Sequence, residues 1–269
     1  MDNIVILMTA CVYPKNMIQT IVQDPGVRKR QYLDAINYYL QETDFDIVFC
    51  DNSDVVIWDE IIHQDKAHRL EYLTFNGGEK DKDRGKGYGE ANIIKYALSH
   101  SCLLREARYV IKITGRVKVL NINNIRGLLS KKKISKVVVS LCSDIGLILS
   151  SVCVCATKTW LQWWVDNYME DIRYGEGATF EDVLFKSFVD DSNVQILRFN
   201  PIFDGICAGT GKPYGNQDEI SHKHIHYSKL CRMYGLRGDS YHYIITWVIW
   251  KWYGVRCRVR NILKLLYNR

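Results

Sequence analysis

Short unbroken apolar runs alternate along this chain with stretches in which apolar side chains recur every three or four residues. Ile4 to Met8 is such a run, the pattern of a strand buried on both faces of a parallel sheet. From Val27 to Leu40 the apolar positions Tyr32, Ile36, Tyr39 and Leu40 follow helical spacing. Asp46 to Cys50 is a second buried run and exits into the polar cluster Asp51-Asn52-Ser53-Asp54. Leu70 to Phe75 predicts a third strand, and Ala91, Ile94, Ala97 and Leu98 mark one face of the next helix. Arg108 to Ile113 is again strand-like and ends in Thr114-Gly115-Arg116. Lys136 to Leu141 and Ile148 to Ala156 predict further strands around Ser143-Asp144. Thr159 to Ile172 and Phe180 to Val189 read as helices. Gln195 to Phe199 then leads past Pro201 into a glycine-bearing loop, residues 204–215.

Strands alternating with helices, with polar residues gathering at strand ends, predict an α/β fold: a Rossmann-type, mostly parallel central sheet flanked by helices. At 269 residues, 47% hydrophobic and 25% charged, the chain has the composition of a globular protein with a sizeable core. Charge divides it. No acidic residue follows Asp239, whereas Lys251, Arg256, Arg258, Arg260, Lys264 and Arg269 match the whole net charge of +6. Residues 1–239 therefore read as a neutral domain and 240–269 as a basic tail, which argues against a uniformly basic nucleic-acid binder. Tyr243 to Trp250 is an apolar run of 8 residues, too short to span a bilayer. Aromatic residues followed by interleaved Arg, Lys and Leu suit an interfacial helix drawn to anionic lipid. Packing on the domain and an oligomer contact are the alternatives.

The nine cysteines lie mostly in apolar runs and form no CxxC pair, so they read as buried free thiols of a reducing compartment. Cys153 and Cys155, two apart, would share one face of a strand. Asp2 stands where a secretion signal needs positive charge, so a cytoplasmic location is expected. His222, His224 and His226 alternate like ligands on one strand face, but no acidic or cysteine partner is near, and a polar surface segment is the plainer reading.

Three stretches carry candidate chemistry. In Lys86-Gly87-Tyr88-Gly89-Glu90 the glycines let backbone approach a ligand, and Lys86 adds a cation where a helix start already favours an anion. The same residues suit a solvated loop with Glu90 stabilising a helix N-terminus, and they match neither a Walker motif nor GxGxxG. Thr114-Gly115-Arg116 places a guanidinium at the sheet's carboxyl edge, where it can grip phosphate bidentately or form an ordinary salt bridge. Lys112, inside the same strand, needs an anionic partner if buried. Thr179-Phe180-Glu181-Asp182 offers a helix cap, and two adjacent carboxylates after a glycine-bearing loop also suit a general base.

With VFCDNS at a strand exit, GKGYGE opening a helix, YVIKITGR and FED, the chain resembles bacterial glycosyltransferases of the GT-A type that build capsule and lipopolysaccharide O-antigen chains. The resemblance covers roughly residues 1–215. It implies inverting transfer of a sugar from a nucleotide-sugar donor to a glycan or lipid-linked acceptor. The enzyme would sit peripherally at the inner face of the cytoplasmic membrane, held by 240–269. Most GT-A enzymes bind a divalent metal through a DxD motif where Thr114-Gly115-Arg116 stands here. That departure implies a metal-independent enzyme without a cofactor, in which Arg116, Lys86 and Lys112 neutralise the diphosphate. Literal DxD strings occur at Asp44-Phe45-Asp46, before a strand, and Asp81-Lys82-Asp83, in a charged loop. By the same resemblance Thr9, Cys11, Tyr13, Asp51, Asn52 and Ser53 hold the nucleobase and ribose. Arg28, with Gly87, Tyr88, Thr114 and Gly115 nearby, reaches the phosphates, and Asp144 contacts the donor sugar. Glu181 is the catalytic base, with Asp182 the alternative. The rival readings are a magnesium-dependent sugar-nucleotide nucleotidyltransferase and a noncatalytic membrane-bound scaffold of a polysaccharide assembly complex.

Overall fold

Strand β1 (Ile4–Ala10) is buried at every position, with Val5 and Leu7 in one apolar cluster and Ile6, Met8 and Ala10 in the other. Such a strand has to lie in the middle of a sheet covered on both faces. It does so in the computed structural model, which describes residues 3–61 (except 16 and 19), 64–77, 84–129, 137–141, 149–189 (except 177), 194–196 and 201–214. β1 pairs in parallel with β2 (Asp46–Asp51) and with β4 (Tyr109–Thr114), and β3 (Leu70–Thr74) extends the sheet beyond β2. Past β4, β7 (Leu149–Thr157) runs antiparallel. β6 (Val137–Leu141) is antiparallel to β7, and β8 (Val194–Ile196) is parallel to β6. The order is β3-β2-β1-β4-β7-β6-β8. The expected mostly parallel sheet flanked by helices is the one that forms.

Helices α1 (Pro25–Glu42) and α4 (Ile122–Leu129) pack on one face, and α2 (Lys86–His100), α5 (Lys158–Tyr168) and α6 (Phe180–Val189) on the other. Their starts are written locally. The Asp24 carboxylate accepts the Val27 N–H at 2.7 Å ahead of Pro25, and the Thr157 hydroxyl accepts the Trp160 N–H at 3.2 Å. The helix expected over 159–172 ends at Tyr168, where Met169–Asp171 tighten into a 3₁₀ turn. Two further helices, α3 (Cys102–Glu106) and α4, are too short to announce themselves by periodicity. Cys153 and Cys155 do share a face, fully buried and free. A small ribbon of β5 (Lys118–Val119) and β9 (Phe203–Asp204) brings the 201–214 segment back beside the end of β4.

Candidate functional site

The chain leaves β1 toward β2 and β3, then returns on the other side of β1 to form β4. Between β1 and β4 the strand order reverses, and the carboxyl ends of two such strands diverge into a crevice. Thr9 lies opposite Thr114 there. A cavity of about 410 Å³ opens at that point, within the size range of small-molecule sites.

Its floor is a hydrogen-bonded network. Lys112 on β4 is fully buried, and its Nζ donates to Glu90 Oε1 at 2.5 Å and to the Ser151 carbonyl at 2.6 Å. Glu90 Oε1 also accepts the hydroxyls of Thr9 (2.9 Å) and Thr114 (3.4 Å). The predicted need of Lys112 for an anionic partner is thus met within the protein by Glu90, one turn into α2, so its charge is not free for a diphosphate. The Ser151 hydroxyl in turn donates to Glu181 Oε1. One buried ammonium therefore ties α2, β4 and β7 together beneath the cavity and reaches the first turn of α6.

Above the floor the charge is mainly positive. Arg116 is 6% exposed, lines the cavity, and its Nε and Nη1 have no hydrogen-bond partner among the described residues. Arg28, 5% exposed on α1, donates to the carbonyls of Cys11 (2.7 Å) and Val22 (3.3 Å) and to the Tyr32 hydroxyl (3.0 Å), all neutral oxygens. Lys86 begins α2, whose N-cap Gly85 has φ 86° and no side chain to cap with, leaving the first N–H groups toward the cavity end. Gly87 lets that turn seat against α6, since a Cβ there would lie 3.1 Å from Phe180 Cβ. Arg84, which also lines the cavity, is spent on Glu170 at 2.6 Å.

The two candidate carboxylates of α6 separate clearly. Glu181 lines the cavity. Asp182 is exposed and accepts both the Thr179 N–H (3.0 Å) and its hydroxyl (2.6 Å), while Thr179 Oγ1 accepts the Asp182 N–H (3.2 Å). That is a capping box, and it occupies Asp182 with starting the helix. Asp182, expected as the alternative base, thus forms the helix cap, while Glu181 is the carboxylate of the pair that lines the cavity.

Other predicted residues sit around rather than in the cavity. Asp51 is fully buried as a strut, its carboxylate accepting N–H groups from Val12 (2.7 Å), Ser53 (2.8 Å) and Val55 (3.3 Å). Burial nevertheless raises its carboxyl above the ordinary value, against the lowering by those bonds. Ser53 accepts the Tyr13 N–H at 3.0 Å, so the pair braces the first loop. Asn52 does line the cavity, with its buried Oδ1 unpartnered. Thr9 and Cys11 line it too, and burial pushes the Cys11 thiol up to about 12. Tyr88 turns away to Glu170 (3.1 Å) under the Arg84 guanidinium. Asp144, Asp81 and Asp83, the three histidines and residues 240–269 lie outside the described residues. Asp44 is exposed and paired with Arg126, and Asp46 begins β2 at the edge remote from the cavity. Among the described residues no group of three or more His, Cys, Asp or Glu gathers that could hold a metal ion.

Glu90, Ser151, Cys207 and Tyr214 also line the cavity and carried no site role in the sequence reading. Only Glu90 had a local signal, four residues after Lys86 and hence on the same helix face. Cys207 and Tyr214 arrive on the 201–214 segment, which Ala208 pins to the first loop by accepting the Ile21 N–H at 2.8 Å. Burial drives the Tyr214 phenol upward.

No protein-family model matches the chain, and no curated protein sequence does. Solved structures of similar course include one from Desulfovibrio desulfuricans described as a nucleotide-diphospho-sugar transferase: TM-score 0.46, 13% identity, 96% of this chain and 98% of the other covered. Another is the galactosyltransferase LgtC in complex with donor and acceptor sugar analogues: TM-score 0.44, 10% identity, 73% and 74% covered. A third is a cytidylyltransferase from Leptospira borgpetersenii: TM-score 0.41, 9% identity, 95% and 96% covered. These likenesses concern the course of the backbone; the chemistry below rests on this chain's own residues.

Proposed function

We propose that the chain is an inverting glycosyltransferase that moves a sugar from a nucleotide-sugar donor to a hydroxyl of a glycan or lipid-linked acceptor in surface polysaccharide synthesis, without a metal. The observation that carries this reading is Arg116: a guanidinium 6% exposed, with two nitrogens unpartnered among the described residues, at the switch point of a mostly parallel sheet. A buried unpaired charge costs several kcal/mol unless a ligand supplies its counter-charge. A diphosphate is the bidentate acceptor a guanidinium suits best. Arg28 and Lys86 add charge at the same cavity.

In this reading Glu181 takes the proton of the acceptor hydroxyl as its oxygen bonds to the anomeric carbon. The bond from that carbon to the diphosphate breaks, and the departing oxygen takes the electron pair. Arg116 and Lys86 offset the charge that develops there. The tail 240–269 holds the enzyme at the inner membrane surface, where lipid-linked acceptors lie.

Calorimetry with UDP, GDP and CMP in EDTA tests the donor site. At least one should bind, and Arg116→Ala should weaken it about tenfold or more. Binding to none, or indifference to Arg116→Ala, rejects the reading. Glu181→Gln should abolish nucleotide release from the matching nucleotide-sugar while nucleotide affinity persists. Asp182→Ala should cost about 1 kcal/mol of stability through its cap. Pyrophosphate as the product would instead indicate nucleotidyl transfer.

A further inference from the structure

Cys207 differs from the other described cysteines. Cys11, Cys50, Cys153 and Cys155 are buried, and Cys102 is exposed at the start of α3. Cys207 is partly exposed and lines the cavity. Its backbone closes a tight turn, with Gly211 N–H donating to the Cys207 carbonyl at 2.8 Å and Gly211 in the left-handed region at φ 67°. In the same turn the Thr210 N–H donates to the Cys207 carbonyl at 3.4 Å, and Tyr214 lines the same cavity. Burial opposes charge on Cys207, but hydrogen bonding from Thr210 and Gly209 and the Lys86 ammonium outweigh it and hold the thiol below its ordinary value.

The second, independent observation is Arg116. It faces the same cavity with its buried Nε and Nη1 unpartnered among the described residues, so whatever reaches Cys207 enters a space that already calls for an anion. Two carboxylates line the same space, Glu90 ion-paired with Lys112 and Glu181 accepting the Ser151 hydroxyl, against the cations Arg28, Lys86 and Arg116.

We propose that Cys207 is a covalent modification site that takes anionic disulfides, and that the resulting mixed disulfide closes the cavity to phosphate-bearing ligands. The Cys207 thiolate attacks one sulfur of RS–SR. A new S–S bond forms, the old one breaks, and RS⁻ leaves with the electron pair, so no further oxidant is needed. The positive lining selects for negative charge on the disulfide, which distinguishes this thiol from one that is merely accessible. The gating half rests on the reading of the cavity as a nucleotide-sugar site; the reactivity half does not.

The test treats the full chain with dithiobis(nitrobenzoate), a dianionic disulfide, or with cystamine, a dicationic one, and follows each cysteine peptide by mass spectrometry. With the anionic reagent Cys207 should react about tenfold faster than Cys102, and inorganic pyrophosphate should protect Cys207 alone. With cystamine that advantage should disappear. Reaction no faster than at Cys102, or equal preference for cystamine, overturns the proposal. For the gate, modification should abolish binding of whichever of UDP, GDP or CMP the chain takes, and in Cys207→Ser the reagent should leave that binding unaltered. Full binding by the modified chain overturns the gate. If Cys207 reacts as expected but the untreated chain binds none of the nucleotides, the reactive thiol stands and the gate falls with the nucleotide-sugar reading.

Discussion

Gly115 leaves no room for a side chain. A Cβ there would lie 2.8 Å from the Thr9 carbonyl oxygen, a backbone atom that already accepts the Gly115 N–H at 2.8 Å. This contact draws β1 and β4 together at their carboxyl ends, one residue before Arg116. Gly115→Ala should therefore cost about 1–3 kcal/mol by forcing backbone apart, and should weaken nucleotide binding because Arg116 moves with it. Thermal unfolding and calorimetry check both; wild-type values for both would remove the packing argument. Lys112 on β4 and Arg116 in the turn just past its end illustrate how cations four residues apart can differ in kind. Both are buried cations, but Lys112 has Glu90, whereas Arg116 Nε and Nη1 have no hydrogen-bond partner among the described residues.

Element by element, the site depends on how the start of α2 is held. Arg84 bonds Glu170 Oε2 at 2.6 Å and the Glu170 carbonyl at 2.9 Å, and its guanidinium lies 3.6 Å from the Tyr88 ring centroid, while Tyr88 reaches the other carboxylate oxygen. The glycine-bearing turn before Lys86 is thereby fastened to the turn after α5. The Arg84 hydrogen bond holds the Glu170 carboxyl below its usual value. A depressed carboxyl stabilises the fold above its unfolded value, near pH 4.3, and that contribution is lost as pH falls through the folded value. Glu170 is largely exposed, so solvent screening limits the effect to no more than about 1 kcal/mol. Glu170→Gln should thus lower Tm by about 2 °C at pH 7, and the gap from wild type should close by about pH 3. A gap that stays constant across this range would mean the clamp is not ionic.

For the whole molecule the decisive feature is the division of charge: residues 1–239 sum to zero and the six basic residues of the tail carry the excess. Among the described residues no helix is long and apolar enough to cross a membrane. Electrostatic adsorption through the tail predicts that the chain floats with vesicles containing about 30% phosphatidylglycerol, is released by about 0.5 M salt, and ignores phosphatidylcholine vesicles. Flotation that is salt-resistant, or absent on anionic vesicles, would reject that role for 240–269.

Much of the architecture was legible residue by residue. Unbroken apolar runs marked β1, β2 and β4, helical spacing marked α1, and the Thr179 cap marked α6, whereas the caps at Asp24 and Thr157 came only with the structure. These signals are local, because strand burial and helix capping involve residues a few positions apart. The tail's basic charge and the arginine at the end of β4 were likewise visible in the order of residues alone. Tertiary structure decided the rest. It placed β4 beside β1 rather than beyond β3, opening the crevice, and it reversed β7 so that Ser151 could meet Glu181. It paired Lys112 with Glu90, left Arg116 Nε and Nη1 without a partner among the described residues, occupied Asp182 with the α6 cap, and delivered Cys207 to the cavity from far along the chain. None of these follows from periodicity, because which charge meets which depends on strand order and register, and those are set by packing between segments distant in sequence.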